Sequence, residues 1–355
     1  MFRRSLIPLA SAGILAAGLV GLGGSMPVAN AAAATPVKPP YVIGWSDIYT
    51  TPSWMTETIG YFNSAVKVLK KEGLIKSFTI ANANGSTPQQ IAQIEDMVAK
   101  RYNGILVDAG SATALNRAID EATSAGIAVG NFDSLVTTTD LVTRVDTNQF
   151  QWGSLTAQWL VNQLHGHGKI LVLNGPAGVS VSQQRWAGAQ SVFKKYPGIK
   201  ILNISNDTYN VAPAEATVSS LLPNYPVING IWSQGGALSA GAVLAFLHAH
   251  RKIPPITGEN YNQFLKQWVQ YHLDAIAVEQ PNWLGEIALY ALIRHLEGLP
   301  VPHYINVPFQ VITNQNVRQF VKIGGPNDYY GIKPISLKEI YKLIGGPLLP
   351  ASKVR

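Results

Sequence analysis

Apolar residues recur along this chain in two rhythms. Short unbroken runs such as Tyr41-Val42-Ile43-Gly44-Trp45 fit strands buried on both faces. Stretches with apolar residues three and four apart fit helices with one buried face. Ile59, Phe62, Val66 and Leu69 give that spacing after the first run, and Gly73 ends the helix. Phe78-Thr79-Ile80-Ala81 reads as the next strand. A helix start follows, with Thr87 as N-cap, Pro88 in the first turn and Gln90 three residues beyond the cap. Ile91, Ile94 and Val98 form its buried face. Gly104-Ile105-Leu106-Val107 and Ile127-Ala128-Val129 read as strands on either side of a helix marked by Leu115, Ile119 and Ala122.

The rhythm restarts after about residue 148. Helices are expected around Leu155 and Trp159, from Trp186 to Phe193, from Ala212 to Leu222, from Leu238 to His248 and from Leu284 to Leu296. Strands are expected at Ile170 to Leu173, Ile199 to Ile204, Ile228 to Trp232 and near Asp274 to Val278. Alternating strands and helices predict βαβ units and parallel sheets covered by helices. The fold class is therefore α/β, with two doubly wound parallel-sheet lobes and no literal sequence repeat between them.

The first 31 residues have a different character. Arg3 and Arg4 precede an apolar stretch from Leu6 to Gly24, and Ala29-Asn30-Ala31 fits a small-x-small cleavage site. Pro8 and the many glycines make a poor membrane span, so residues 1–31 are expected to be a cleaved signal peptide. Cleavage removes Arg3 and Arg4 and lowers the net charge from +7 to +5. Residues 32–40, rich in Ala and Pro, are expected to be a flexible leader. The compartment expected is the periplasm.

Composition narrows the function. The chain is 47% hydrophobic and only 13% charged, which excludes a disordered or coiled-coil protein. Its positive excess is not gathered into a dense Lys/Arg run, which argues against a nucleic-acid partner. With no cysteine there are no disulfides, no thiol catalysis, no thiolate-bound metal and no lipid anchor through an N-terminal Cys. His165-Gly166-His167 and His248-Ala249-His250 are spaced like metal pairs, but no third ligand is placed by sequence, and no metal or cofactor is expected. Walker, HExxH and GxSxG motifs do not occur in the mature chain.

In open α/β sheets the binding crevice lies outside the carboxyl ends of the strands. The residues following the strands include Asp47, Tyr49, Thr51, Trp54, Asp133, Ser134 and Tyr209, then Gln234-Gly235-Gly236, Glu259-Asn260-Tyr261 and Glu279-Gln280. Amides, hydroxyls, a few carboxylates and aromatics suit a polar, uncharged ligand. Carboxylates and amides hydrogen-bond hydroxyls, and an indole packs on the C–H face of a sugar ring. Arg185, expected in the first turn of a helix, stands where the helix dipole disfavours a cation, which suggests a partner outside that helix.

From about Tyr41 to Val317 the order of motifs resembles the type I periplasmic sugar-binding proteins, the ribose/galactose-binding family that serves ABC importers. Thr51-Pro52-Ser53-Trp54 stands at the Asn-Pro-Phe-aromatic motif. Gln89-Gln90-Ile91 through Ile94-Glu95-Asp96 matches the Gln-rich helix. Gly126-Ile127-Ala128-Val129 leads to Asp133-Ser134 at the Asp-Arg site. Asp146-Thr147-Asn148, Arg185-Trp186-Ala187-Gly188 and Pro281 to Gly285 match the first crossover, the Arg-x-x-Gly helix and the return crossover. Four motifs depart: Ser134 replaces an Arg, Gly235-Gly236 an Asn-Asp, Glu259-Asn260 stands near the late Phe-Asp, and Glu279 near the late Gln.

The resemblance implies two lobes joined by three crossings, one of residues 41–147 and 281–309, the other of 148–280 and 310–345, with 346–355 as a tail. It implies ligand contacts from Trp54, Asp133, Arg185 and Asn260, and further from Gln234, Glu279, Tyr209, Thr51 and Glu259. It implies a monomer that closes on a small polar ligand, most simply a monosaccharide, and delivers it to an inner-membrane ABC permease with its ATPase. A polyol, a nucleoside or a signalling furanone remains chemically compatible. The competing readings are a receptor domain for chemotaxis or signalling, and an exported glycoside hydrolase using paired carboxylates such as Asp133 and Glu259.

Overall fold

The computed structural model describes residues 35–51 and 53–354; the expected signal peptide and its cleavage site lie outside them. The first lobe begins with β1 (Tyr41–Asp47), α1 (Ser53–Lys71), β2 (Ile75–Asn82), α2 (Thr87–Ala99) and β3 (Gly104–Asp108). It continues through α3 (Asn116–Ser124), β4 (Ala128–Phe132) and β5 (Thr143–Asp146). The second lobe holds α4 (Gln149–Gln163), β6 (Gly168–Asn174), α5 (Ser180–Phe193), β7 (Ile199–Asn206) and α6 (Val211–Leu221). Then come β8 (Gly230–Ser233), α7 (Gly236–His248), β9 (Ile256–Glu259), α8 (Asn262–Tyr271) and β10 (Ala275–Val278). The chain returns to the first lobe for α9 (Leu284–Leu296) and β11 (Tyr304–Asn306), then to the second for β12 (Val311–Ile312) and α10 (Val317–Phe320), and continues with α11 (Leu337–Ile344) and a 3-10 turn at Ala351–Lys353.

Each lobe is built on one six-stranded sheet. The orders are β11-β5-β4-β3-β1-β2 and β12-β10-β9-β8-β6-β7. All pairings are parallel except that of β12, which runs antiparallel to β10. Helices cover both faces, which is why the central strands read as unbroken apolar runs; every residue of β3 and β4 is buried. In both sheets the winding reverses next to the first strand, between β1 and β3 and between β6 and β8. The carboxyl ends at these reversals open into a crevice.

Four sequence expectations are corrected. Helix α2 is capped by Ser86, not Thr87: the Ser86 hydroxyl accepts from the Gln89 N–H at 3.3 Å. Asn84 and Gly85, both at positive φ, turn the chain so that Ser86 is the last extended residue. Helix α5 begins at Ser180, so Arg185 lies in its second turn; the polar Ser180 to Gln184 stretch hid the helix from a hydrophobic pattern. The tail and α11 do not belong to the second lobe or to a loose end. Ile340 and Ile344 are buried in the first-lobe core with α9, and Leu348 and Ala351 pack against it. The end of the leader is also held: the Val37 N–H donates to the Leu296 carbonyl at 2.8 Å, and the Tyr41 hydroxyl donates to the Val37 carbonyl at 2.9 Å.

The chain therefore passes between lobes four times rather than three: from β5 to α4, from β10 to α9, from β11 to β12, and from α10 to α11.

Candidate functional site

A cavity lies between the carboxyl edges of the two sheets. It is lined by Ile48, Tyr49, Trp54, Met55, Asp108, Asp133 and Ser134 from the first lobe, with Gln280 from the second crossing. Pro176, Val179, Val181, Arg185, Tyr209 and Glu259 close it from the second lobe, and Tyr330 from the fourth crossing.

The first sheet contributes a row of buried aspartates. Asp47 ends β1 and Asp108 ends β3, and the two are direct partners across the strands. Asp133 follows β4 in the left-handed region, with φ +54°, and Asp146 ends β5. Burial pushes the Asp47, Asp108 and Asp146 carboxyls well above the ordinary carboxylate range, and the charge of Asp133 adds to the effect at each. Asp133 itself is pushed up to about 6 by burial, with the Arg185 guanidinium and the Gln280 amide drawing it back. Such an edge accepts hydrogen bonds through ionised carboxylates and donates them through protonated ones.

Opposite this row stands Arg185, only 1% exposed. Its Nε donates to Gln149 Oε1 at 2.7 Å, and Nη1 donates to the Gln234 carbonyl at 2.6 Å and to Glu259 Oε1. Nη2 donates to Gln280 Oε1 at 2.8 Å, and the guanidinium lies 4.4 Å from the ring centre of Trp152. Burial opposes its charge, but Glu259, Tyr209 and Asp133 together more than offset this and keep Arg185 protonated. Close helix packing fixes its backbone. A Cβ on Gly153 of α4 would sit 1.9 Å from the Arg185 carbonyl, and one on Gly188 of α5 would sit 2.1 Å from the Phe150 carbonyl.

Gln280 is the hub between the lobes. Its Nε2 donates to Asp133 Oδ1 at 2.7 Å, its N–H donates to Asn260 Oδ1 at 2.9 Å, and its carbonyl accepts from Trp54 Nε1 at 3.2 Å. Trp54 packs against the cores of both lobes. A direct lobe-to-lobe bond adds to this: the Leu135 N–H donates to Ser180 Oγ at 2.5 Å.

The expected residues thus separate. Trp54, Asp133, Arg185, Tyr209 and Glu259 line the cavity together. Gln234 stands behind it, accepting from the Tyr209 hydroxyl at 3.1 Å and donating to Asn174 Oδ1 at 2.8 Å. Asn260 is spent on main-chain groups, accepting from Gln280 and donating to the Tyr330 carbonyl. Glu279 is buried in the second crossing, where its N–H donates to the Gln310 carbonyl at 2.9 Å. Thr51 is exposed and borders a separate groove with Glu57 and Asp328. The histidine pairs bind locally: His248 Nδ1 meets Glu215 Oε1 at 2.8 Å and His167 Nδ1 meets the His165 carbonyl at 2.9 Å. Among the described residues no cluster of three metal-ligating side chains is found.

Sequence reasoning missed Asp108, Gln149 and Tyr330 as site residues, and placed Tyr49 and Gln280 at the crevice without giving either a ligand contact. Asp108 carried the same signal as Asp133, a carboxylate directly after an apolar strand. The Gly235-Gly236 departure has a physical reason. A Cβ on Gly235 would come within 2.6 Å of the Tyr209 ring, and the Gly236 N–H donates to Glu259 Oε2 at 3.2 Å. At the other departure, Ser134 Oγ donates to Asp133 Oδ2 at 3.3 Å.

Residues 43–300 match the family model described as the periplasmic binding protein domain. The chain belongs to this family. The ribose import binding protein of Bacillus subtilis is 20% identical over 72% of this chain and 84% of its own length. The xylitol-binding protein of Mycolicibacterium smegmatis is 29% identical over 69% of this chain and 68% of its own length. In fold, this periplasmic binding protein superposes on an ABC transporter solute-binding protein from Thermobispora bispora with a TM-score of 0.79. The two are 23% identical, over 88% of this chain and 98% of that one. The two-lobed architecture is the type I periplasmic binding protein fold, and the family assignment makes the chain a binding protein rather than an enzyme. No helix among the described residues is long and apolar enough to cross a membrane.

Proposed function

We propose that this protein is the solute-binding component of an ABC importer, capturing a small neutral polyhydroxyl ligand, a monosaccharide or a related polyol, between its lobes by hinge closure. The observation that carries this reading is the composition of the cavity wall. One indole and three phenol rings stand beside Asp108, Asp133, Glu259 and Gln280, and the one cation, Arg185, already has four hydrogen-bond partners. A phosphorylated ligand wants free cations, and this wall offers none. A sugar or polyol wants acceptors, donors and a flat apolar surface, and finds all three.

Ligand contacts to both sheet edges are completed only when the lobes close, so ligand shifts the population toward closure. The closed form then docks on a permease driven by its ATPase. The names of the ribose- and xylitol-binding relatives support this ligand class. The protein is expected to be exported to the periplasm and to act as a monomer. A thermal-shift screen of the mature protein against monosaccharides, polyols and nucleosides tests the reading, because a ligand that binds the folded state raises Tm by mass action. A shift with sugars or polyols supports it; shifts confined to nucleosides, or none at all, refute the ligand class.

A further inference from the structure

The fourth crossing is not a slack linker. On the second lobe, the Asn262 N–H donates to the Tyr329 carbonyl at 2.7 Å and the Gln263 N–H to the Asn327 carbonyl at 2.9 Å. Asn262 Nδ2 donates to the Lys322 and Pro326 carbonyls at 2.9 and 2.6 Å. Gly331, at φ +63°, then turns the chain, and a Cβ there would press on the Phe320 carbonyl at 3.0 Å. On the first lobe, Tyr61 Oη donates to the Ile332 carbonyl at 3.4 Å and Trp283 Nε1 to the Lys333 carbonyl at 3.3 Å. Beyond α11, Arg294 donates to the Gly345 and Pro347 carbonyls at 3.0 and 2.5 Å.

Glu57, in the first turns of α1, joins this strap to the hinge. One carboxylate oxygen accepts from the Tyr330 N–H at 2.9 Å and the other from Asn282 Nδ2 at 2.6 Å, in the second crossing. Asn260 makes the matching link from the second lobe, holding the Tyr330 carbonyl and the Gln280 N–H. Tyr330 is therefore gripped from both lobes at its main chain while its ring lines the cavity, 5.4 Å from the Tyr261 ring. No hydrogen bond to its hydroxyl is found among the described residues.

We propose that residues 321–336 are a tether that limits how far the lobes separate, and that they deliver Tyr330 to the cleft as a ligand-contacting residue, with Glu57 as the clamp. A ring held from both lobes takes its place only when they are correctly juxtaposed, so the strap couples closure to recognition of the ligand. The Tyr330 contact rests on the binding reading above; the tether does not.

The absence of cysteine makes the tether directly measurable. Spin labels introduced by Arg117→Cys on α3 and Lys200→Cys on β7, both exposed, report the interlobe distance in the full chain by double electron–electron resonance. Glu57→Ala is expected to shift that distribution to longer distances and widen it roughly twofold, with Glu57→Gln intermediate because one acceptor survives. Circular dichroism checks that each variant is folded. Distributions that superimpose on the parent for both Glu57 variants overturn the tether.

Calorimetric titration with D-ribose and xylitol as probes tests the contact. Tyr330→Phe is expected to lose about tenfold in affinity and Tyr330→Ala more. Unchanged affinity in both overturns Tyr330 as a ligand-contacting residue. If neither probe binds the parent protein, the Tyr330 contact falls with the binding reading for these ligands, and the distance result alone decides the tether.

Discussion

Gln280 Nε2 donates to Asp133 Oδ1 at 2.7 Å, tying the second crossing to the carboxyl edge of the first sheet. The same side chain accepts from Arg185 at 2.8 Å, so one amide orients the acid and the base that face each other across the cleft.

Gln280→Ala strips a donor from Asp133 and an acceptor from Arg185, both buried. Losing hydrogen bonds to charged groups costs about 1–3 kcal/mol. Urea unfolding should show a loss of that size, and affinity for the cleft ligand should fall at least tenfold. Wild-type stability with wild-type affinity would remove Gln280 from its hub position.

The pH dependence has a definite sign. Asp133 titrates at about 6 in the folded protein, above its ordinary value. The unfolded chain therefore releases this proton first as pH rises. Asp133 stabilises the fold at acid pH, and that contribution is lost between about pH 4 and 6. Asp47, Asp108 and Asp146 are raised as well and act in the same direction. Removing the Asp133 charge also lowers the barrier to ionising these three. The unliganded Asp133→Asn variant should lose less Tm than wild type between pH 5 and pH 7. An equal or larger loss in the variant would contradict this assignment.

Gly188 lets α5 meet α4 with almost no gap, and Arg185 rides on that contact. Because the obstructing atom is main-chain, Gly188→Ala forces the helices apart and should cost about 1–3 kcal/mol or more. Ligand affinity should fall along with stability, because Arg185 is displaced. Denaturant midpoints together with calorimetry separate the two effects.

Much of the fold was legible because its central strands and helices carry strong apolar periodicity. The Leu284–Leu296 helix agrees to the residue. Strands β5, β9, β11 and β12, each at most four residues long, were not marked by pattern; β8 and β10 are no longer than β5 and β9, and were marked by the apolar runs Ile231-Trp232 and Ala275 to Val278. The fourth crossing was invisible for another reason. Residues 321–336 form no helix or strand, and their order comes from side chains of Asn260, Asn262 and Glu57 far away in sequence. In the site, residues directly after strands were found apart from Asp108, whereas Gln149 holds Arg185 from a helix N-terminus and Tyr330 reaches the cleft from an irregular segment.

Trp54 contacts both cores and donates to the Gln280 carbonyl, yet it is only partly buried. Trp54→Ala should therefore cost less stability than the roughly 3–5 kcal/mol of a fully buried aromatic truncation, while removing the flat surface a sugar ring needs. A folded variant with an intact ligand response would show that the indole is a packing residue only.

Isothermal titration of the mature protein with D-ribose, xylitol and further monosaccharides, followed by recovery of the ligand for mass analysis, tests the central claim most directly. The account predicts one saturable site per chain, abolished by Trp54→Ala and by Asp133→Ala, and a ligand recovered chemically unaltered. Binding that survives both substitutions, or a ligand recovered in altered form, would contradict it.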